Sequence, residues 1–185
     1  AQTLKDEWRF TETDVLLHAL PIFHTHGLFV ASNVTFLAGS SMIFLSSFKA
    51  QQAIEHLPKA TTMMGVPTFY TRLLDEPRLN RELVQHMRLF ISGSAPLLAE
   101  THLAFEERTG HRILERYGMT ETNGHQHGLP GDTRAQVTGT SGACCPDYAL
   151  AVFDPDDPER ILQTGESGLV GGKGGSLMLG YFSDR

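Results

Sequence analysis

The segment Glu115-Arg116-Tyr117-Gly118-Met119-Thr120-Glu121 gathers an aromatic ring, a hydroxyl and carboxylates around one glycine. Each has a use at a bound nucleotide. The Tyr117 ring can stack on a base. Gly118 permits a sharp turn. The Thr120 hydroxyl can donate to a phosphate oxygen. Glu121 is a hard oxygen ligand suited to Mg²⁺ carried by phosphates. By chemistry alone the segment reads equally as a phosphate site and as a surface turn.

Two further segments carry usable groups. In Leu89-Phe90-Ile91-Ser92-Gly93-Ser94-Ala95-Pro96-Leu97 an apolar run enters a small-residue turn. Such a turn lies at the carboxyl end of a strand, where open α/β sheets bind ligands. Gly93 and Ala95 let the backbone approach a flat ring, although an ordinary βα turn has the same composition. In Leu20–Leu28, His24 follows Pro21 just past an apolar run. A His there can orient a substrate or transfer a proton. The pairs His24/His26 and His125/His127 also suggest a metal, but neither has a carboxylate or cysteine at ligand spacing. Gly171-Gly172-Lys173-Gly174-Gly175-Ser176 lacks the spacing of a Walker phosphate loop. Spacing assigns no Ser-His-Asp triad or paired carboxylates.

A layered sheet is expected to position these groups. Val15–Leu20, Met42–Leu45, Thr61–Val66 and Leu89–Ser92 are nearly continuous apolar runs. Runs of this kind suit parallel strands buried on both faces. Helical patterns fall between them at Gln51–Leu57, at Pro67–Leu74 with Pro67 in the first turn, and at Leu97–Arg108. The last places Leu97, Thr101 and Ala104 on one stripe, with Leu98 and Phe105 beside it and Gly110 as the stop. Ile113-Leu114 reads as a short strand. Beyond residue 123, Gly, Pro and Asp become frequent, with β-like pieces at Ala149–Phe153 and Leu169-Val170 and a turn at Asp154–Pro158. The expected fold class is α/β: a mostly parallel sheet flanked by helices over residues 1–122, then a short irregular β-rich part over 123–185.

Composition narrows the function classes. With 185 residues the chain can bury one core, and a net charge of −6 argues against a nucleic-acid surface. The 15 Lys and Arg residues form no basic run. Cys144 and Cys145 are adjacent, which reads as two small buried residues in a reducing compartment rather than a disulfide framework. Residues 1–10 contain no apolar leader core, and no run approaches the roughly 20 residues of a membrane helix. A first residue other than Met, and an end at Ser183-Asp184-Arg185, lead to the expectation of a piece of a longer protein. The cytoplasm is the default location, with the mitochondrial matrix open.

Taken together, Leu20–Gly27, Ser92–Pro96 and Tyr117–Glu121 resemble, in order and interval, three motifs of the adenylate-forming superfamily. These are its strand–Pro–aromatic–His motif, its adenine-binding turn and its Tyr-Gly-x-Thr-Glu motif. The finer resemblance is to malonyl-CoA synthetases, over His18–Asn33, Met64–Arg72 and His86–Pro96, and it extends over roughly residues 8–123. It implies part of an acyl-CoA synthetase N-terminal domain. It also implies ATP, Mg²⁺ and CoA as partners, and activation of malonate through malonyl-AMP. Carried over by position, Arg72 and Ser94 hold the distal carboxylate. His24 borders the acyl and CoA entrance. Gly93, Ser94, Ala95 and Pro96 surround the nucleotide together with Glu115, Arg116, Tyr117, Gly118, Met119 and Thr120. Thr120 contacts phosphate, Glu121 binds Mg²⁺, and with His24 these two form the catalytic set. A planar guanidinium suits a carboxylate.

The resemblance weakens after residue 123. Val137–Gly142 only approximates the family's Pro-Gly-x-x-Gly turn, Cys144–Asp147 replaces a Pro-Gly segment, and glycines interrupt an expected strand over Leu169–Ser176. The family's phosphate loop is expected upstream of residue 1. Its ribose-binding Asp and catalytic Lys are expected downstream of residue 185. The isolated chain is therefore expected to lack turnover. Alternatives are an acyl-CoA synthetase for another small carboxylate, a non-catalytic nucleotide-binding remnant, and a structural piece with exposed sheet edges.

Overall fold

The computed structural model describes residues 1–122, 126–133, 136 and 138–182. In chain order the elements are α1 (Gln2–Glu7), β1 (Val15–His18), a π-helical turn (His26–Ser32) running into α2 (Asn33–Ala38), β2 (Ser41–Phe44), α3 (Ala50–His56), β3 (Thr62–Gly65), α4 (Pro67–Leu74), α5 (Arg81–Val84), β4 (Leu89–Ser92), α6 (Ala99–Thr109) and β5 (Ile113–Tyr117). Four short strands follow: β6 (Gln126–His127), β7 (Ala143–Cys144), β8 (Tyr148–Phe153) and β9 (Leu169–Gly174).

The main sheet has the order β2-β1-β3-β4-β5-β6-β7, and β8 and β9 form a separate antiparallel hairpin. From β2 to β5 every pairing is parallel, while β6 and β7 join antiparallel. Consecutive residues such as Leu16-Leu17, Met63-Met64 and Phe90-Ile91 are all buried, so both faces of β1, β3 and β4 are covered. That is why their apolar runs are continuous rather than alternating. The edge strand β2, expected to be buried on both faces, is partly exposed. Tyr70 of α4, Phe90 of β4 and Phe105 of α6 meet edge to face at 5.0–6.5 Å. The Tyr70 hydroxyl donates to Ile91 O at 2.6 Å and ties α4 to the middle of the sheet. Below the opposite strand ends, Arg88 donates twice to the buried Asp14 carboxylate at 2.8 and 3.1 Å.

Several expected elements shift. Of the stripe expected on the Leu97–Arg108 helix, Thr101 and the flanking Phe105 are buried, joined by His102 and Thr109. Leu97 and Leu98 precede the helix and Ala104 faces outward, because the helix starts at Ala99. β5 continues through Glu115 and Arg116 to Tyr117, past the apolar pair that marks its start. β9 runs through its glycines. A Cβ at Gly171 would meet the Phe153 ring at 2.5 Å, and one at Gly174 the Tyr148 ring at 2.6 Å. The glycines there make room for aromatic rings of the partner strand. Of the cysteine pair only Cys145 is buried, since neighbouring residues at a strand end face opposite ways. Both thiols are free. Among the described residues no helix is long and apolar enough to cross a membrane.

Candidate active site

The strand order places the site. The chain leaves β1 for β2 on one side and returns to β3 on the other, so the carboxyl ends of β1 and β3 flank a reversal of direction. Crevices at such reversals bind ligands in open α/β sheets. The loops leaving β1, β3, β4 and β5 meet there. They line a cleft of about 630 Å³ that includes Pro21, His24, His26, Phe69, Ser94, Thr120 and Glu121. A second lobe of about 380 Å³ lies against Ala95, Pro96, Glu115, Tyr117 and Thr140. Ser94, Arg116 and Gly118 line both lobes.

The turn after β4 is tightly built. Ser94 has a φ of 70°, the left-handed region that non-glycine residues rarely enter. A Cβ on Gly93 would lie 2.8 Å from Arg116 Cγ and 3.1 Å from His26 Cε1, so glycine is what lets these side chains close on the turn. The Glu115 carboxylate accepts the Leu97 N–H at 2.5 Å. Burial raises the Glu115 pKa while this hydrogen bond lowers it, with a net upward shift. Glu115 thus braces the turn from the neighbouring strand. Arg116 beside it is 4% exposed, and burial pulls its pKa down to about 10, still charged at neutral pH.

The loop after β1 is held by a clamp. His18 Nδ1 accepts the Leu20 N–H at 3.2 Å, which puts the ring proton on Nε2, directed at Gly27 O 3.1 Å away. Ser32 Oγ donates to the same carbonyl at 2.8 Å. Gly27 is required, because a Cβ there would sit 2.2 Å from Pro21 O. The clamp leaves His24 exposed at the cleft and folds His26 inward, where its Nδ1 lies 3.1 Å from Ser94 Oγ.

Past β5, Met119 N–H donates to Thr122 Oγ1 and Thr122 N–H to Met119 O, closing a turn that presents Thr120 and Glu121. Tyr181 donates its hydroxyl to Glu121 Oε1 at 2.5 Å. That bond, with the residue's own backbone N–H, holds the Glu121 carboxyl below the usual range. Glu121 is an ionised, solvent-reached carboxylate. Among the described residues no three His, Cys, Asp or Glu side chains converge as a metal cage. A lone carboxylate at the cleft fits Mg²⁺, which binds through few protein ligands and keeps several waters. The His24/His26 pair splits between solvent and core, and His125 lies outside the described residues.

Of the residues expected at the site, the structure brings together His24, Ser94, Ala95, Pro96, Glu115, Arg116, Tyr117, Gly118, Met119, Thr120 and Glu121 as cleft lining, with Gly93 packed behind them. Arg72 lies apart: it is exposed in the last turn of α4, one turn past Phe69, and does not line either lobe. Sequence reasoning missed His18, the His26–Ser94 bond and Tyr181. Only the His-x-His spacing hinted at His26.

The buried imidazoles make stability depend on pH. Burial is the largest cause lowering the pKa of His18, His26, His111 and His127 below 6.5. An unfolded imidazole takes a proton at a higher pH than these do. Their contribution is therefore complete above about pH 6.5 and is lost as pH falls through the folded values. Glu115, shifted upward from 4.5, acts in the opposite sense, since the folded protein takes its proton at a higher pH than the unfolded chain does. The melting temperature should fall by several degrees between about pH 7.5 and 5.5. A flat or rising profile would contradict the buried, neutral assignment.

Known proteins resemble this chain in sequence and fold. The family model described as AMP-binding enzyme matches residues 1–182. The chain is 34% identical over 173 residues to a mitochondrial malonate–CoA ligase of Mus musculus, covering 85% of this chain and 29% of the relative. It is 36% identical over 138 residues to a malonate–CoA ligase of Arabidopsis thaliana, covering 64% and 23%. The crystal structure of ATP-bound MatB from Rhodopseudomonas palustris superposes with a TM-score of 0.94 at 53% identity, covering 97% of this chain and 35% of that one. The chain thus spans less than a third of the length of these curated relatives. With the motif order, the strand-end cleft and a family match across nearly its whole length, the chain belongs to the AMP-binding enzyme family.

Proposed function

We propose that the protein containing this chain ligates malonate to CoA with ATP through a malonyl-adenylate. The observation that carries this reading is the two-lobed cleft at the strand ends, with a buried guanidinium where the lobes meet. The smaller lobe, with Ala95, Tyr117 and Gly118, suits a flat base. The larger lobe, with His24, Thr120 and Glu121, suits phosphates and a small acid. The likeness to malonate–CoA ligases supports the same substrate.

In this reading a malonate oxygen attacks the α-phosphorus of ATP and pyrophosphate leaves. The CoA thiolate then attacks the acyl carbon and AMP leaves. Thr120 donates to a phosphate oxygen, and Glu121 would hold Mg²⁺, which when bound would supply neutralisation of phosphate charge. His24, exposed at the mouth, borders the entrance of the acid and of CoA. Ser94 holds the distal carboxylate with Arg116 on the cleft wall, and the resemblance assigns the same task to Arg72, which would have to reach in from the end of α4 outside both lobes. Two free thiols suit a reducing compartment, the cytoplasm or the mitochondrial matrix.

The test is the substrate preference of the full-length enzyme. Malonate should exceed acetate in kcat/KM by about 10²-fold or more, because only malonate brings a second carboxylate to the cationic wall of the cleft. Equal use of both would favour an acyl-CoA synthetase for another small acid. Arg72→Ala should raise the malonate KM about tenfold and leave the ATP KM unchanged. Undiminished malonate use would remove Arg72 from the site and leave Arg116 as its cation.

A further inference from the structure

His26 reaches the cleft through one hydrogen bond and keeps its other ring nitrogen without a partner. The ring is 3% exposed, Nδ1 lies 3.1 Å from Ser94 Oγ, and Nε2 is buried with no hydrogen bond. The ring has little freedom. His26 begins the π-helical turn, its neighbour Gly27 is held by His18 and Ser32, and it packs against the bare Cα of Gly93.

These constraints choose the tautomer. A buried N–H with no acceptor is costlier and rarer than a buried acceptor with no donor. The proton therefore sits on Nδ1, pointing at Ser94 Oγ, and the bare lone pair sits on Nε2. With one lone pair of Oγ occupied by His26, the Ser94 hydroxyl proton turns to the cleft. Ser94 lines both lobes, and its backbone takes the left-handed conformation to put it there. Glycine would adopt that turn with less strain. A serine there is best explained by use of its hydroxyl.

We propose that His26 is a positioning residue for the anionic end of the substrate: it donates to Ser94 Oγ and so commits the Ser94 hydroxyl proton to a substrate carboxylate oxygen. This deepens the malonate reading and rests on it for the identity of the acid. It makes His26 a determinant of how well the cleft holds a carboxylate, although no part of its ring need touch substrate.

The test uses His26→Leu, His26→Asn, Ser94→Ala and the double variant His26→Leu/Ser94→Ala in the full-length enzyme. Asn places an amide N–H near the position of Nδ1. His26→Leu should raise the malonate KM about tenfold, with kcat and the ATP KM within about twofold. His26→Asn should recover most of that loss. The double variant should be no worse than Ser94→Ala, because both changes remove one effect. Additive losses, or equal impairment by Asn and Leu, would overturn the proposal. If the wild-type enzyme ignores malonate but activates another acid, the substrate reading fails. The same cycle on the accepted acid then decides the role of His26, since any carboxylate needs the donated proton.

Discussion

Arg116→Met should lower kcat/KM for malonate by about two orders of magnitude while the protein still folds. The guanidinium is nearly buried on β5 and lines both lobes of the cleft. Burial depresses its pKa to about 10, a direct sign that the folded protein bears a desolvation cost to keep it there. An anionic ligand is drawn to that charge, because charges attract strongly where water is excluded. Met keeps the apolar stem, so contacts like that of Arg116 Cγ on Gly93 survive. The loss should appear in malonate kinetics, with a smaller change in the ATP KM. If the ATP KM rises and malonate binding does not, Arg116 serves the nucleotide instead. Circular dichroism and the melting temperature separate either outcome from misfolding.

Glu121→Gln should have an effect at least as large. Among the described residues its carboxylate is the one acidic side chain lining the larger lobe, and the Tyr181 hydroxyl keeps it ionised and oriented. Gln retains the shape and an acceptor oxygen but removes the charge that attracts a divalent cation. Activation of malonate should fall by about 10²–10³-fold, the scale seen when a preorganised charge is removed from a site of charge transfer. The Mg²⁺ concentration for half-maximal activity should rise at fixed ATP. An unchanged Mg²⁺ dependence would take Glu121 out of metal binding.

Sequence reading succeeded where one physical signal dominated. β1, β3 and β4 are short, buried on both faces and therefore continuous apolar runs. The turn Ser92–Pro96 follows from small residues after such a run. β5 was legible only at Ile113-Leu114, because Glu115 and Arg116 interrupt its apolar character. Both are buried in the strand, one bracing the neighbouring turn and the other charging the cleft. Function broke the local pattern at that point. In α6 the buried face includes Thr101, His102 and Thr109, so polarity misled the search for an apolar stripe. In β9 the glycines that suggested a break accommodate rings on β8, a cross-strand fact with no local signal.

The site divides in the same way. Tyr117–Glu121 is contiguous, so its chemistry was readable. The His26–Ser94 bond joins residues 68 apart in sequence, and the Tyr181–Glu121 bond joins residues 60 apart. Strand order brings the first pair together, and loop packing after β9, where Met178 N–H donates to Glu121 O, brings the second. Arg72 shows the reverse: its place in the resemblance is clear, yet it projects from an exposed turn of α4.

The central claim is that this cleft adenylates malonate. Exchange of labelled pyrophosphate into ATP by the full-length enzyme tests it most directly. The account predicts exchange that requires malonate, proceeds without CoA, and falls sharply in Arg116→Met and Glu121→Gln. No malonate-dependent exchange, or exchange that appears only when CoA is present, would contradict it.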